Sequence, residues 1–149
     1  ETGKFDILDL VTIAECGTVV HPQGLANQLR GGAVWGIGLS AYERHLYDPQ
    51  NGLPASSGYW QSKIPTYLDT PENIGTGWVD LPDPENPVGA RGIGEPSMGA
   101  VSAALNAAIS DALDGHLFNA APVTADMIIN HVAGISENSV PLAQNNFRG

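Results

Sequence analysis

The sequence is short of cysteine and of basic residues, and both shortages exclude classes of protein. Cys16 is the single cysteine in 149 residues, which excludes an internal disulfide framework. Its neighbours supply no CxxC or His/Cys ligand spacing, so we expect it to be a small buried hydrophobe. Six basic residues stand against 16 acidic ones, a net charge of -10, so the surface should repel nucleic acid and anionic lipid. We therefore predict no nucleic-acid partner.

Long apolar runs are also missing. No window approaches the ~18 apolar residues that a membrane helix requires, so we predict a soluble chain with no membrane span. The first residues are typical of a hairpin turn, Thr2-Gly3-Lys4, which feeds the strand-like run "FDILDLVTIAEC". A domain rarely starts inside a hairpin, and this beginning indicates a cleaved chain or a piece of something longer.

What is present is a globular composition, with 42% hydrophobic residues, 18 glycines and 11 prolines, typical of one domain with many turns. Three helices are predicted: one within 24–48, one from Pro96 to about Gly115, and a short one in "VTADMIINHV" with Thr124 as its N-cap. Residues 48–87 are expected to be loop and short strand. The predicted fold class is α+β, with short mixed strands packed against two or three helices.

The first helix combines a regular apolar face with several glycines. Its predicted apolar positions recur every four residues: Leu25, Leu29, Ala33, Ile37 and Ala41. Four glycines interrupt it, and each should destabilise a helix by about 1 kcal/mol relative to alanine: Gly31, Gly32, Gly36 and Gly38. Another helix or a flat ligand approaching closely would explain them, and Gln28 lies one turn before the first pair. Tight helix packing is the plainer interpretation.

The most informative stretch is "PVGARGIGEPSMGAVSAALNAAISDAL", from Pro87 to Leu113. A glycine-rich turn delivers Glu95 to the start of the second helix, next to the positive end of the helix dipole. A carboxylate held there by a turn without bulky side chains can face a ligand and accept a proton from a bound hydroxyl or water. The alternative is an ordinary helix-capping glutamate.

Common catalytic motifs are absent. "GARGIG" is not GxGxxG, and no P-loop ending or GxSxG nucleophile motif occurs. The four histidines are scattered without HExxH or i, i+4 pairing. We therefore predict no metal bound by side chains of this chain alone.

Five blocks in one order carry a family resemblance: "ECGTVVHP", "NQLRGGAVWGIGLSAYERHLYDPQNG", "KIPTYLDTP", "NPVGARGIGEPSMGAVSAALNAAISDAL" and "PVTADMI". This order resembles the C-terminal part of the molybdenum-binding large subunit of the xanthine oxidase family, the molybdenum hydroxylases. The pattern "DPENPVGARGIGE" is most similar to bacterial aldehyde oxidoreductases. Residues 1–132 are thus predicted to be a cofactor-binding segment, and 133–149 an extended tail without a family counterpart.

The resemblance implies a role for each matching residue. Glu95 matches the family's active-site glutamate beside molybdenum, which accepts the proton of the attacking hydroxyl. Gln28 matches a glutamine near the pyranopterin, and the backbone of Gly92, Ile93 and Gly94 would line the same pocket. Gly31, with Gly32, would let the first helix lie against the cofactor. Glu15 stands where aspartate is common in the family, and His21 where asparagine is common.

The resemblance also implies cofactors and partners. The cofactor would be a molybdenum pyranopterin (molybdopterin), with the cytosine dinucleotide form left open. The rest of the large subunit, a [2Fe-2S] subunit and, as an open alternative, an FAD subunit would complete a heteromer in the bacterial cytoplasm or periplasm. The implied reaction converts an aldehyde to a carboxylic acid with water-derived oxygen. Two alternatives remain, an N-heterocycle or other carbon centre as substrate, and a non-catalytic structural subunit.

Overall fold

The computed structural model describes residues 2–118 and 120–135. These described residues form two strands, three helices and one 3-10 turn. In chain order these are β1 (Leu10–Glu15), α1 (Pro22–Ala41), the 3-10 turn (Tyr67–Asp69), β2 (Ile74–Val79), α2 (Pro96–Ala112) and α3 (Ala125–Val132). This arrangement confirms the α+β class, with short strands packed against three helices.

The two strands are parallel neighbours in one sheet, with α1 in the connection between them. Leu10 pairs with Ile74 and Glu15 with Val79, so both strands end at the same edge. The hairpin predicted at residues 2–4 is wrong. Residues 2–9 form no strand, and β1 pairs in parallel with a strand more than 50 residues later, which a tight turn cannot connect.

The two faces of the sheet differ. Leu10 and Ile74 pack against the main apolar core, whereas Val11 and Ile13 point the other way and are 62% and 67% exposed. Opposite these two side chains stand Gly75 and Gly77 of β2. Among residues 2–118 and 120–135, one face of the sheet is therefore covered by the helices, and the other is a strip of exposed apolar side chains.

Helix α1 buries the apolar face that the four-residue spacing predicts, with Leu25, Leu29, Ala33 and Ile37 all buried and Ala41 half-buried. Its first turn is capped by His21, whose Nδ1 accepts a hydrogen bond from the Gly24 N–H at 2.7 Å. The helix ends earlier than the predicted region, because the amides of Tyr42 and Glu43 both bond to the Gly38 carbonyl and close the last turn.

Helix α2 begins at Pro96 as predicted and ends at Ala112, before Gly115 with its φ of +82°. Its buried apolar stripe is Val101, Leu105 and Ile109. Ala108 and Ala112 lie outside this stripe, since both are exposed. The i, i+4 row of larger side chains is the row that packs against α1, which leaves the alanines on the outer side.

The main core lies between α1, α2 and the α3 region. It consists of Ala33, Ile37, Val101, Leu105, Ile109, Val123 and Ile128. Thr124 stands at the N-cap of α3, as predicted. Of the predicted tail, 133–135 form a turn after α3 and 136–149 lie outside the described residues. In the described part of the chain, no helix has the length and apolar character to cross a membrane.

Candidate active site

The segment after β2 carries Glu95 back across the end of β1. Its backbone is tied to the residues after β1 by two short hydrogen bonds, Thr18 N–H to Gly89 O and Arg91 N–H to Cys16 O, both at 2.7 Å. Gly17 and Ala90 form an antiparallel bridge between these bonds. The loop is therefore anchored at the carboxyl ends of the parallel strands, the edge where α/β proteins commonly bind ligands.

The Arg91 guanidinium holds two carboxylates that come from different parts of the chain. Its Nη1 donates to Glu15 Oε2 and its Nε to Asp83 Oδ2, each at 2.7 Å. The other oxygen of each carboxylate accepts a backbone N–H, from Gly17 at 2.7 Å and from Glu85 at 2.9 Å. The hydrogen bond from Arg91, helped by the one from Glu85, lowers the pKa of Asp83. We call these three side chains the Arg91 clamp.

Ile93 makes the next anchor. Its side chain packs against the small apolar cluster of Cys16, Leu25 and Leu29, which joins β1 to the first half of α1. Cys16 is buried, which confirms the expectation of a small buried group. Burial, together with the charges of Glu15 and Asp80, raises the pKa of its thiol.

The glycines on either side of Ile93 are open. A Cβ atom at Gly92 or Gly94 would meet no atom of the described residues within 4 Å. The side chain of Ile93 thus faces the protein interior, and the backbone on both sides of it is left bare.

Glu95 occupies the N-cap position of α2, with φ −106° and ψ −18°, and its carbonyl accepts from the Met98 N–H at 3.0 Å. Its side chain is exposed and, among the described residues, makes no capping hydrogen bond to the helix. The capping role that the sequence left open is therefore not what this carboxylate does. It stands free at the start of α2, and the backbone alone closes the first turn.

Gln28 and Gly31 lie on one exposed flank of α1, three residues apart. Gln28 adjoins Leu29, which belongs to the cluster that Ile93 contacts, and Glu95 follows Ile93 by two residues. Gly31 is also open, since nothing in residues 2–118 or 120–135 comes within 4 Å of a Cβ atom at this position. The structure therefore links the two predicted segments through the cluster of Cys16, Leu25 and Leu29, against which Ile93 packs.

Gly32 does not have the role that was expected for it. It is buried, and a Cβ atom there would collide with the Ser97 hydroxyl and lie 3.2 Å from Ser97 Cβ. Gly32 lets the first turn of α2 approach α1, as the plainer interpretation of tight helix packing predicts. Only Gly31 of this pair keeps a surface open to a ligand.

Glu15, Asp83 and Arg91 were not predicted to form a unit. A signal was available, because Arg91 is the only basic residue in the acidic stretch 80–95. The partner from β1 lies 76 residues away in sequence, however, and periodicity carries no information about such a pair. No cluster of three or more potential metal-binding side chains occurs in the described ranges.

Comparison with known proteins identifies a family and several relatives that this chain resembles. The profile of a family described as "Molybdopterin cofactor-binding domain" matches residues 1–71. The 6-hydroxypseudooxynicotine dehydrogenase complex subunit gamma of Paenarthrobacter nicotinovorans is 34% identical over 138 residues, 92% of this chain and 17% of that protein. The chain thus spans about a sixth of the length of this curated relative.

Two solved structures share the fold. Quinoline 2-oxidoreductase from Pseudomonas putida 86 superposes with a TM-score of 0.79 and 31% identity, covering 86% of this chain and 16% of that one. The aldehyde oxidoreductase from Desulfovibrio desulfuricans gives a TM-score of 0.76 and 26% identity, covering 87% and 14%. These matches confirm the resemblance and the expected cofactor class, molybdopterin. The chain belongs to the molybdenum-binding large subunits of the xanthine oxidase family.

Proposed function

We propose that this chain supplies the general base of a molybdenum hydroxylase, an enzyme that oxidises a carbon centre with water-derived oxygen. Glu95 is the base, and Gln28, Gly31 and the backbone at Gly92, Ile93 and Gly94 bind the cofactor. The observation that carries the proposal is the Glu95 carboxylate, exposed and uncapped between bare glycine backbone and a helix N-terminus.

The residues present fit a molybdenum pyranopterin. The open positions at Gly31, Gly92 and Gly94 leave room for a bulky, flat group against bare backbone. Gln28 offers amide donors and an acceptor from the exposed flank of α1. Such a group contains many polar atoms that need hydrogen bonds, which backbone N–H groups and an amide can provide without adding charge.

When bound, the cofactor supplies a redox-active metal that takes up the electrons removed from the substrate. The part of this chain is proton transfer and positioning. Glu95 accepts the proton of the attacking hydroxyl, which increases the negative charge on the oxygen as it approaches the carbon. Because this carboxylate makes no capping hydrogen bond to the helix backbone, its oxygens can accept a proton on the substrate side.

For the substrate, our first candidate is an aldehyde, oxidised to the carboxylic acid. The "NPVGARGIGE" pattern supports it, as does the shared fold with an aldehyde oxidoreductase. The second candidate is an aromatic N-heterocycle. Two relatives above 30% identity favour it, the 6-hydroxypseudooxynicotine dehydrogenase subunit and quinoline 2-oxidoreductase.

The test of Glu95 is a substitution in the assembled enzyme. Glu95→Gln keeps the size of the side chain and removes the base, so kcat should fall by about 10²- to 10⁴-fold. Molybdenum content, measured by plasma mass spectrometry, should remain that of the wild type. Glu85→Gln is the matched control, since Glu85 is an exposed carboxylate in the same loop. A Glu95→Gln enzyme with wild-type kcat would remove Glu95 from the chemistry.

A panel of aliphatic aldehydes, aromatic aldehydes and N-heterocycles decides between the substrate classes. The class with the highest kcat/KM, and with activity lost in Glu95→Gln, is the substrate class. An enzyme complex purified in its native state without molybdenum would contradict the proposal and favour a structural subunit.

A further inference from the structure

We propose that Arg91 is a positioning residue, which holds the Glu95 carboxylate in place through the clamp with Glu15 and Asp83. The inference rests on the proposed function of Glu95. Its basis is geometric, since Arg91 precedes Glu95 by four residues and is the last side chain before Glu95 with anchoring polar contacts among the described residues.

The chain between the clamp and Glu95 is poorly restrained by its own composition. Two of its three residues are glycines, which have more backbone freedom than any other residue, and both are open to their surroundings. Within this stretch, among the described residues, only the side chain of Ile93 makes a recorded apolar contact. It packs against the cluster of Cys16, Leu25 and Leu29. The position of Glu95 therefore depends on where the two ends, the Arg91 clamp and the start of α2, are fixed.

The clamp fixes its end firmly. Both guanidinium bonds are 2.7 Å long and charge-assisted, a class of hydrogen bond roughly twice as strong as a neutral one. The Arg91 amide adds the bond to Cys16 O, so backbone and side chain are both tied to the end of β1. Asn86 supports the same loop, since it accepts from Gly89 N–H at 2.6 Å and donates to Ala90 O at 3.0 Å.

Loosening this end should affect the rate of the reaction more than substrate binding. A catalytic group displaced by about 1 Å can lose about 100-fold in rate, whereas contacts that bind substrate equally in the ground state and transition state remain. We expect Arg91→Gln to lower kcat by about 10- to 100-fold with little change in KM and in molybdenum content. Arg91→Lys, which can pair with one carboxylate at a time, should be intermediate.

Hydrogen exchange of the assembled complex provides a readout that does not depend on activity. In Arg91→Gln the amides of 89–95 should exchange about tenfold faster or more, because the bonds that protect them open more often. Glu15→Gln and Asp83→Asn each remove one partner and should show smaller changes in both kcat and exchange. If Arg91→Gln does not assemble, these two variants test the proposal in its place. Lys63→Gln breaks an ion pair of 2.6 Å elsewhere and is the control, expected to leave both unchanged.

A double substitution links Arg91 to Glu95. If Arg91 acts through Glu95, Arg91→Gln should slow the Glu95→Gln enzyme much less than it slows the wild type. An equal slowing of both enzymes by Arg91→Gln would overturn the proposal. It would also be overturned if Arg91→Gln left kcat and exchange unchanged or lost molybdenum. The same holds if Lys63→Gln changed kcat and exchange as much as Arg91→Gln does. If Glu95→Gln alone keeps the wild-type rate, the proposed function of Glu95 fails, while the exchange data still report whether the clamp orders the loop.

Discussion

Asp69 ties the long connection after α1 together at a single carboxylate oxygen. Its Oδ2 accepts from Lys63 Nζ at 2.6 Å and from the Thr66 amide and hydroxyl at 2.7 Å each. Lys63 also lies over the Tyr42 ring, 3.9 Å from its centroid, which joins this connection to the end of α1. Partial burial alone would raise the pKa of Asp69, but the bonds from Lys63 and Thr66 lower it to about 2.

This pKa predicts how local stability depends on pH. Because the folded-state pKa is depressed, the carboxylate contributes stability above its unfolded value near 4, and the contribution is lost as pH falls towards about 2. Lys63 is half-exposed, so we expect only about 1 kcal/mol at neutral pH. Protection factors of the amides of 64–70 should therefore be higher in the wild type than in Asp69→Asn at about pH 6, and the difference should shrink steadily as the pH falls towards about 2. Asp111→Asn is the control, and an equal loss of protection in it would contradict the assignment.

Single residues also mark how far the sequence could be interpreted. Motifs that are local in sequence select Glu95, Gln28 and the three residues before Glu95 as candidates, and their catalytic and cofactor-binding roles stay predictions. His21 looked like a departure from the family pattern, yet its Nδ1 caps α1, a bond that an asparagine oxygen could also accept. The Arg91 clamp escaped prediction because it joins residues far apart in the chain.

At the scale of the element, α1 uses its glycines on two different faces. Gly36 faces α2, where a Cβ atom would lie 2.7 Å from Met98 O and 2.8 Å from Val101 Cβ. Gly31 faces outward. The four-residue spacing predicted the buried face of α1, but it could not assign each glycine to packing or to a ligand, because that depends on where α2 crosses.

Paired substitutions in α1 should separate these two uses. Gly36→Ala overpacks a contact with a backbone carbonyl that cannot move aside, so the free energy of unfolding should fall by about 1–3 kcal/mol. Gly31→Ala should not lower it, and it could rise by up to about 1 kcal/mol from helix propensity. Denaturant unfolding measures both.

Molybdenum occupancy should respond to substitution at Gly31 rather than at Gly36. A side chain at Gly31 enters the space proposed for the cofactor, so Gly31→Leu should lower the molybdenum content of a folded complex. Full occupancy in Gly31→Leu would mean that the cofactor does not contact this flank of α1.

At the scale of the whole molecule, the described residues cover the sheet on one side only. Parallel strands are nearly always buried on both faces, because their crossovers place helices there. Here the outer face presents Val11, Ile13 and Val79 to solvent, alongside Gly75 and Gly77. We expect other protein to cover this apolar strip in the assembled complex. The predicted short strands and helices indicated the α+β class, but they could not show which face of the sheet would lack cover.

The exposed face of the sheet predicts that this chain is part of a larger assembly. We expect molybdenum and activity to elute together in size exclusion, in a fraction that contains this chain with further polypeptides, including iron-sulfur and, in one alternative, flavin subunits. Val11→Lys with Ile13→Lys should weaken that association, because a charge at a buried apolar contact lacks both hydration and a partner. Leu117→Lys, at an exposed apolar side chain outside the sheet, is the control. A monomer of this chain that keeps molybdenum and oxidises substrate would contradict the prediction, since the open face would then need no cover.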